Sequence, residues 1–232
     1  MPAYVSHTIM ARDVYKRINN KNVSLDYMIT FSLGGDLSKY AKCRYDSHHK
    51  KEDDFLYNMC DYIIDNNLYN DKEIMGVLYG HVCHLTMDRV IHPLVRKVDK
   101  ECVLSKNNHT MIELYYDNYL SKEKYKVPLN KHNYKELFKG KMNKKVSAFI
   151  DYVYKETYNT SHLSRYYKFN LFLYKKIKYL YKICTFNLLK VISGMKKFLK
   201  NNKKIDLLNN KNKIRYINER KEETNAAIRS EN

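Results

Sequence analysis

Residues 80–93 read GHVCHLTMDRVIHP. His84, Asp88 and His92 stand four apart, and an α-helix stacks such residues turn above turn on one face. Neutral imidazole together with carboxylate is the donor set of a zinc site. A second pair at the same spacing follows, His109 and Glu113 in HTMIE. A core helix with hydrogen-bonded histidines is the plainer reading of residues 80–93. Val82, Leu85, Met87, Val90 and Ile91 already offer its apolar positions, however, and an aspartate on the histidine face would be costly to bury unless matched.

Around this stretch the sequence reads as all-α. Gly and Pro are scarce, six and three in 232 residues, and apolar residues recur at helical spacing along most of the chain. A helical pattern opens at Ser6 or His7 and runs to about Ile18. Residues 23–33 form a second, stopped by Gly34-Gly35, where an unusual backbone is cheap, and Asp36 follows on a loop. Residues 53–65 form a third. Asp71 suits the N-cap of the long helix that carries His84. Pro93 puts His92 at or near the end of that helix, or at a kink. Asn107 or Asn108 caps the helix bearing His109, Glu113 and Asp117. Residues 121–133 read as a loop, residues 141–158 as a further helix, and the final thirty residues as frayed or disordered. The expected organisation is a metal-binding helical domain over residues 1–160, a basic amphipathic helical extension over 161–200, and a tail over 201–232.

Charge divides the chain. Residues 1–113 balance 15 basic against 15 acidic side chains, whereas residues 114–232 hold 28 against 10, so the whole excess of +18 lies outside the histidine-rich half. The five cysteines (Cys43, Cys60, Cys83, Cys102, Cys184) are odd in number and form no CxxC pair. That argues against a disulfide framework and against a thiolate knuckle, and it suits a reducing compartment. No secretion signal is evident at the start, and the most apolar stretch, residues 179–195, is broken by Lys182 and Lys190 and falls short of a membrane span. A cytoplasmic protein is expected, with peripheral contact at the inner face of a membrane as an added option. Residues 166–200 allow three readings: a helix packed on the domain with solvated lysines, a helix lying on anionic lipid, or a phosphate-neutralising nucleic-acid surface. The third is the least favoured, because the aromatic and glycine pattern of an RNA-binding module is missing.

Taken singly, His7 is an ordinary helix-start histidine, Asp36 a turn cap, and His48-His49 a solvated pair. His132 and His162 have no ligand neighbours at useful spacing. In order along the chain, however, SHTIMARDVY, GGDLSKY, the SHH of DSHHKKEDDF, HLTMD with its trailing HP, and HTMIE resemble the zinc-dependent phospholipase C enzymes of bacteria. Their all-helical fold is shared with the P1/S1 nucleases. The resemblance spans roughly residues 1–120 and implies a multi-helix phospholipase C/P1 nuclease-like bundle holding two or three Zn²⁺ ions.

Carried over position by position, the resemblance makes His7, Asp36, His48, His84, Asp88, His92, His109 and Glu113 metal ligands. Asp36 doubles as the catalytic group that orients or deprotonates the attacking water, and Asp88 bridges two ions. His49 is the fallback for His48. His81 is expected to be an outer hydrogen-bonding partner of a ligand, and Asp117 to hold a ligand histidine by its other nitrogen. The implied activity is hydrolysis of a phospholipid headgroup ester. The alternatives are a single-strand nuclease or nucleotidase, and a non-catalytic, metal-stabilised protein associated with membranes.

Overall fold

The computed structural model describes residues 4–38, 41, 50–101 and 108–176. The histidines at 48 and 49, the segment 177–200 and the tail 201–232 lie outside the described residues. Every regular element described is helical, as the sequence led one to expect: α1 (Tyr4–Ile18), α2 (Leu25–Phe31), a 3-10 turn (Gly34–Ser38), α3 (Glu52–Asp65), α4 (Lys72–Glu101), α5 (Asn108–Tyr125), a second 3-10 turn (Leu129–Lys131), α6 (Tyr134–Leu137), α7 (Lys144–Tyr158) and α8 (Leu163–Lys175).

The thirty-residue α4 is the spine. Asp71 starts it as a cap, its Oδ1 accepting from the backbone N–H groups of Glu73 and Ile74, two donors that no helical carbonyl can reach. The inward stripe of α4 begins apolar with Ile74 and Val77, turns polar at His81 and His84, and ends apolar again at Val95. Because histidines hold that stripe, the apolar residues are distributed differently from the sequence expectation. Leu85 is buried, Met87 and Ile91 are half-buried, and Val82 and Val90 are exposed. The helix also continues through Pro93 to Glu101, so His92 is not at its end. The proline ring removes one backbone bond, that to the Arg89 carbonyl, and the fully buried Val95 anchors the next turn.

Two glycines set how closely α4 lies on α2. A Cβ at Gly76 would come within 2.7 Å of the Ser24 carbonyl oxygen, and one at Gly80 within 2.7 Å of the Phe31 carbonyl carbon. Backbone therefore meets backbone, four residues apart on one face of α4. Below this contact a core of Tyr27, Phe31, Phe55, Met59, Phe149, Val153 and Tyr167 joins α2, α3, α7 and α8. Leu163–Lys175 is the start of the segment expected as a basic extension, and it packs Tyr167, Leu171 and Tyr174 into that core.

Helix α1 begins at Tyr4, before the expected Ser6 or His7, because its cap comes from another helix. The carboxylate of Asp117 on α5, itself fully buried, accepts from Val5 N at 2.9 Å and Ser6 N at 2.8 Å, and from the Ser6 hydroxyl. An N-cap supplied from a distant segment fixes α1 against α5 and sets where His7 points.

Candidate metal centre

Four segments deliver side chains to one place: α1 gives His7, the 3-10 turn gives Asp36, α4 gives His84, Asp88 and His92, and α5 gives His109 and Glu113. One donor atom each from His7, Asp36 and His84 lie within 4.8 Å of one another, and the same holds for His92, His109 and Glu113. Asp88 joins the two groups. Its Oδ1 is 3.3 Å from His7 Nε2 and 3.6 Å from His92 Nε2, and its Oδ2 is 3.5 Å from His84 Nε2. His92 Nε2 is also 3.6 Å from Glu113 Oε1, which lies 3.0 Å from His109 Nε2.

These separations bear on whether a metal fits. Two donors each about 2.1 Å from a tetrahedral ion lie about 3.4 Å apart, close to the Asp88 distances, whereas direct N–H···O bonds cluster near 2.9 Å. The tautomer of His84 points the same way. Its Nδ1 donates to the Ser32 carbonyl at 3.2 Å, so Nε2 is the nitrogen left to face the Asp88 carboxylate. On the neutral ring that atom carries a lone pair, free to bind a cation lying between the two groups. His7 turns Nε2 to Asp88 and leaves Nδ1 as a buried polar atom with no hydrogen-bond partner. The His7 and His84 rings stack with centroids 4.7 Å apart, and both turn Nε2 to Asp88.

Without a metal, the histidines supply the positive charge that Asp88 meets. Burial disfavours charge on His7, yet the adjoining Asp88, backed by Asp36 and Asp117, raises its pKa above the usual value. Burial would lift Asp88, but His84, His7 and His92 hold its carboxyl far below the usual range. Glu113 is pushed up to about 7 by burial, with Asp36 and Asp88 adding repulsion. His92 is lowered by burial against the pull of Asp88 and Asp36. Three carboxylates in so small a space are expensive without positive charge among them. Exposure climbs from 1% at His84 to 24% at His92 and 36% at His109, so the cluster opens at the α5 end.

The surrounding scaffold is rigid. Gly34 has φ +42°, and a Cβ there would fall 2.2 Å from His84 Cγ, so the turn before Asp36 lies flat on the imidazole. On its other side the turn is held by α8, where Asn170 Nδ2 donates to the Leu37 carbonyl at 3.0 Å and the Tyr174 hydroxyl to the Asp36 carbonyl at 3.5 Å. Neither Asn170 nor Tyr174 carried a signal in the sequence.

Seven of the eight ligands implied by the resemblance thus converge, and the eighth, His48, lies outside the described residues together with His49. Two supporting residues have other roles than expected. Asp117 caps α1 rather than bonding a histidine. His81 faces the core: its Nδ1 donates to the Val77 carbonyl at 2.9 Å and its Nε2 accepts from the Tyr167 hydroxyl at 3.0 Å, so neither nitrogen is left for a ligand. Burial lowers its pKa to about 4, which keeps it neutral. His132, read as a lone histidine, is half-buried against Ser121 Oγ. Comparison of the chain with protein-family models, with curated proteins and with solved structures gives no match.

Proposed function

We propose that the protein is a metal-dependent phosphodiester hydrolase of phospholipase C type, holding two or three Zn²⁺ ions and built on a phospholipase C/P1 nuclease-like bundle. The observation that carries the reading is Asp88, whose oxygens face three imidazoles at 3.3–3.6 Å, with one of those imidazoles held through Nδ1 so that Nε2 turns inward. His7, Asp36, His84 and Asp88 would hold one ion, and Asp88, His92, His109 and Glu113 another. A divalent cation held there supplies Lewis acidity, which neutralises phosphoryl oxygens and makes water a usable nucleophile near neutral pH.

The chain's own part is positioning and proton handling. Asp36 sits on a turn pinned from both sides, so its carboxylate is pre-set to orient an attacking water and accept its proton. Asp88 and Glu113 offset cationic charge, and the open end beside His109 admits substrate. The lipid substrate is taken from the ordered motifs of residues 1–120, and the cytoplasmic setting from the scattered thiols; Cys60 and Cys83 are both unpaired. No helix among the described residues is long and apolar enough to cross a membrane.

Release of phosphocholine from phosphatidylcholine, followed with added Zn²⁺ beside hydrolysis of single-stranded DNA, tests the reading. Lipid turnover that falls about a hundredfold or more in Asp36→Asn, measured at Zn²⁺ concentrations that restore the wild-type metal content, is the expected result. DNA turnover alone would shift the substrate to nucleic acid. Metal binding with no turnover of either, in the wild type, would leave a metal-stabilised protein and end the enzymatic reading.

A further inference from the structure

Helix α8 has a second face that the metal centre does not use. Its inner side carries Tyr167, Asn170, Leu171 and Tyr174. Its outer side presents Arg165, Lys168, Phe169, Phe172 and, at the cap, Lys176, all exposed. At 3.6 residues per turn these five fall within about 100° of the helix circumference. Phe169 and Phe172 are 52% and 58% exposed, one turn apart, with basic side chains before and after them. The Lys176 ammonium lies over the Phe172 ring, 5.9 Å from its centroid. From Leu163 to Lys175 there is no acidic residue.

We propose that this outer face of α8 docks on an anionic lipid surface. Large apolar rings ringed by cations, with no acid among them, match the boundary of a negatively charged bilayer: rings enter below the headgroups while ammonium and guanidinium groups stay among the phosphates. Nucleic acid would also attract the charges, but stacking bases need an open ring face, and Lys176 covers one face of Phe172. The docking stands on α8 alone and holds whether or not the cluster hydrolyses anything. If it does, Asn170 and Tyr174 place the Asp36 turn on the reverse side of the helix that meets the lipid.

The chain contains no tryptophan, so Phe172→Trp in the full protein introduces a single reporter at the proposed contact. With vesicles of mixed phosphatidylcholine and phosphatidylglycerol its emission should move to the blue and be quenched by bromine-labelled lipid. Phosphatidylcholine vesicles alone should produce neither change. Adding Lys168→Glu to that variant should weaken the response about tenfold or more, since it removes one attraction worth about a factor of five and installs a repulsion. Tyr57→Trp, on the exposed side of α3, is the control and should stay unquenched. Protein that pellets with anionic vesicles while the tryptophan at 172 is unaltered would overturn the proposal, as would equal quenching at 57 and 172. A response at 172 to single-stranded DNA but not to vesicles would replace lipid with nucleic acid and overturn it as well.

Discussion

A fully buried carboxylate has to be matched by donors, and Asp117 finds them in the first turn of α1. Asp117→Asn leaves one oxygen for donors that now meet both, and turns an amide N–H toward backbone N–H groups. Loss of such a cap costs about 1–2 kcal/mol. Urea unfolding should register that loss even in EDTA, because the cap holds a helix rather than an ion; equal stability of the two proteins in chelator would refute this role. At Gly34 the constraint is space as well as φ. Gly34→Ala adds a methyl inside the van der Waals envelope of the His84 ring and forces a positive φ on alanine, so a loss of about 2 kcal/mol or more is expected, together with weaker Zn²⁺ binding by calorimetry. Unchanged affinity would mean that the turn does not set the His84 ring. The side chains that chemistry requires were legible at this scale, because His84, Asp88, His92, His109 and Glu113 repeat at the helical period. Their supports were not. The Ser32 acceptor is main chain, and Asp117 acts across 111 residues on Ser6. His81 shares the inward stripe of α4 with His84 yet sits a turn earlier along it, among Phe31, Phe55 and Tyr167.

Between elements, His81 joins α4 to α8 and, through the Tyr154–Tyr167 hydroxyl pair at 3.0 Å, to α7. Its pH response follows from burial. In the unfolded chain an imidazole titrates near 6.5, and in the folded chain His81 titrates at about 4. Between those values the unfolded chain binds the extra proton, so the contribution is whole above pH 6.5 and shrinks as pH falls toward 4. The whole shift amounts to about 3 kcal/mol. Urea midpoints of the wild type should therefore fall more steeply over that window than those of His81→Gln, while metal-site titrations common to both proteins cancel; parallel curves would show that His81 contributes no such dependence. The order of the longer helices followed from periodicity, although α5 runs to Tyr125 into the stretch read as a loop and α6 was not foreseen, and Asp71 was found as a cap because side-chain capping is local. The passage of α4 through Pro93 was hidden, since a ring that removes one hydrogen bond can be outweighed by the packing of Val95 beyond it. Gly76 and Gly80 were hidden for a related reason: small residues four apart show that a backbone can approach without showing which one does.

Across the molecule, the cluster is assembled from segments that have no reason to meet unless the bundle is formed. Residues 7, 36, 84, 88, 92, 109 and 113 come from four elements, and Asp88 faces donors from two of them. A cation bound to this arrangement has nothing comparable to bind in the unfolded chain, so binding free energy becomes folding free energy. At a hundredfold excess over its Kd a ligand adds about 2.7 kcal/mol, which for a chain of this size raises Tm by roughly 5–10 °C. Zn²⁺ titrated into chelator-treated protein should therefore raise Tm progressively and by at least that span. Asp88→Asn should abolish most of the rise, since it removes the carboxylate that touches both halves of the cluster. In the metal-free protein the same substitution should also lower Tm, because His7, His84 and His92 lose the carboxylate that they hold in its charged form. The response to Zn²⁺, not the Tm in chelator, therefore separates a ligand from a structural aspartate. A packing or charge-pair role alone for Asp88 predicts an undiminished response to Zn²⁺, and that result would dissolve the metal centre.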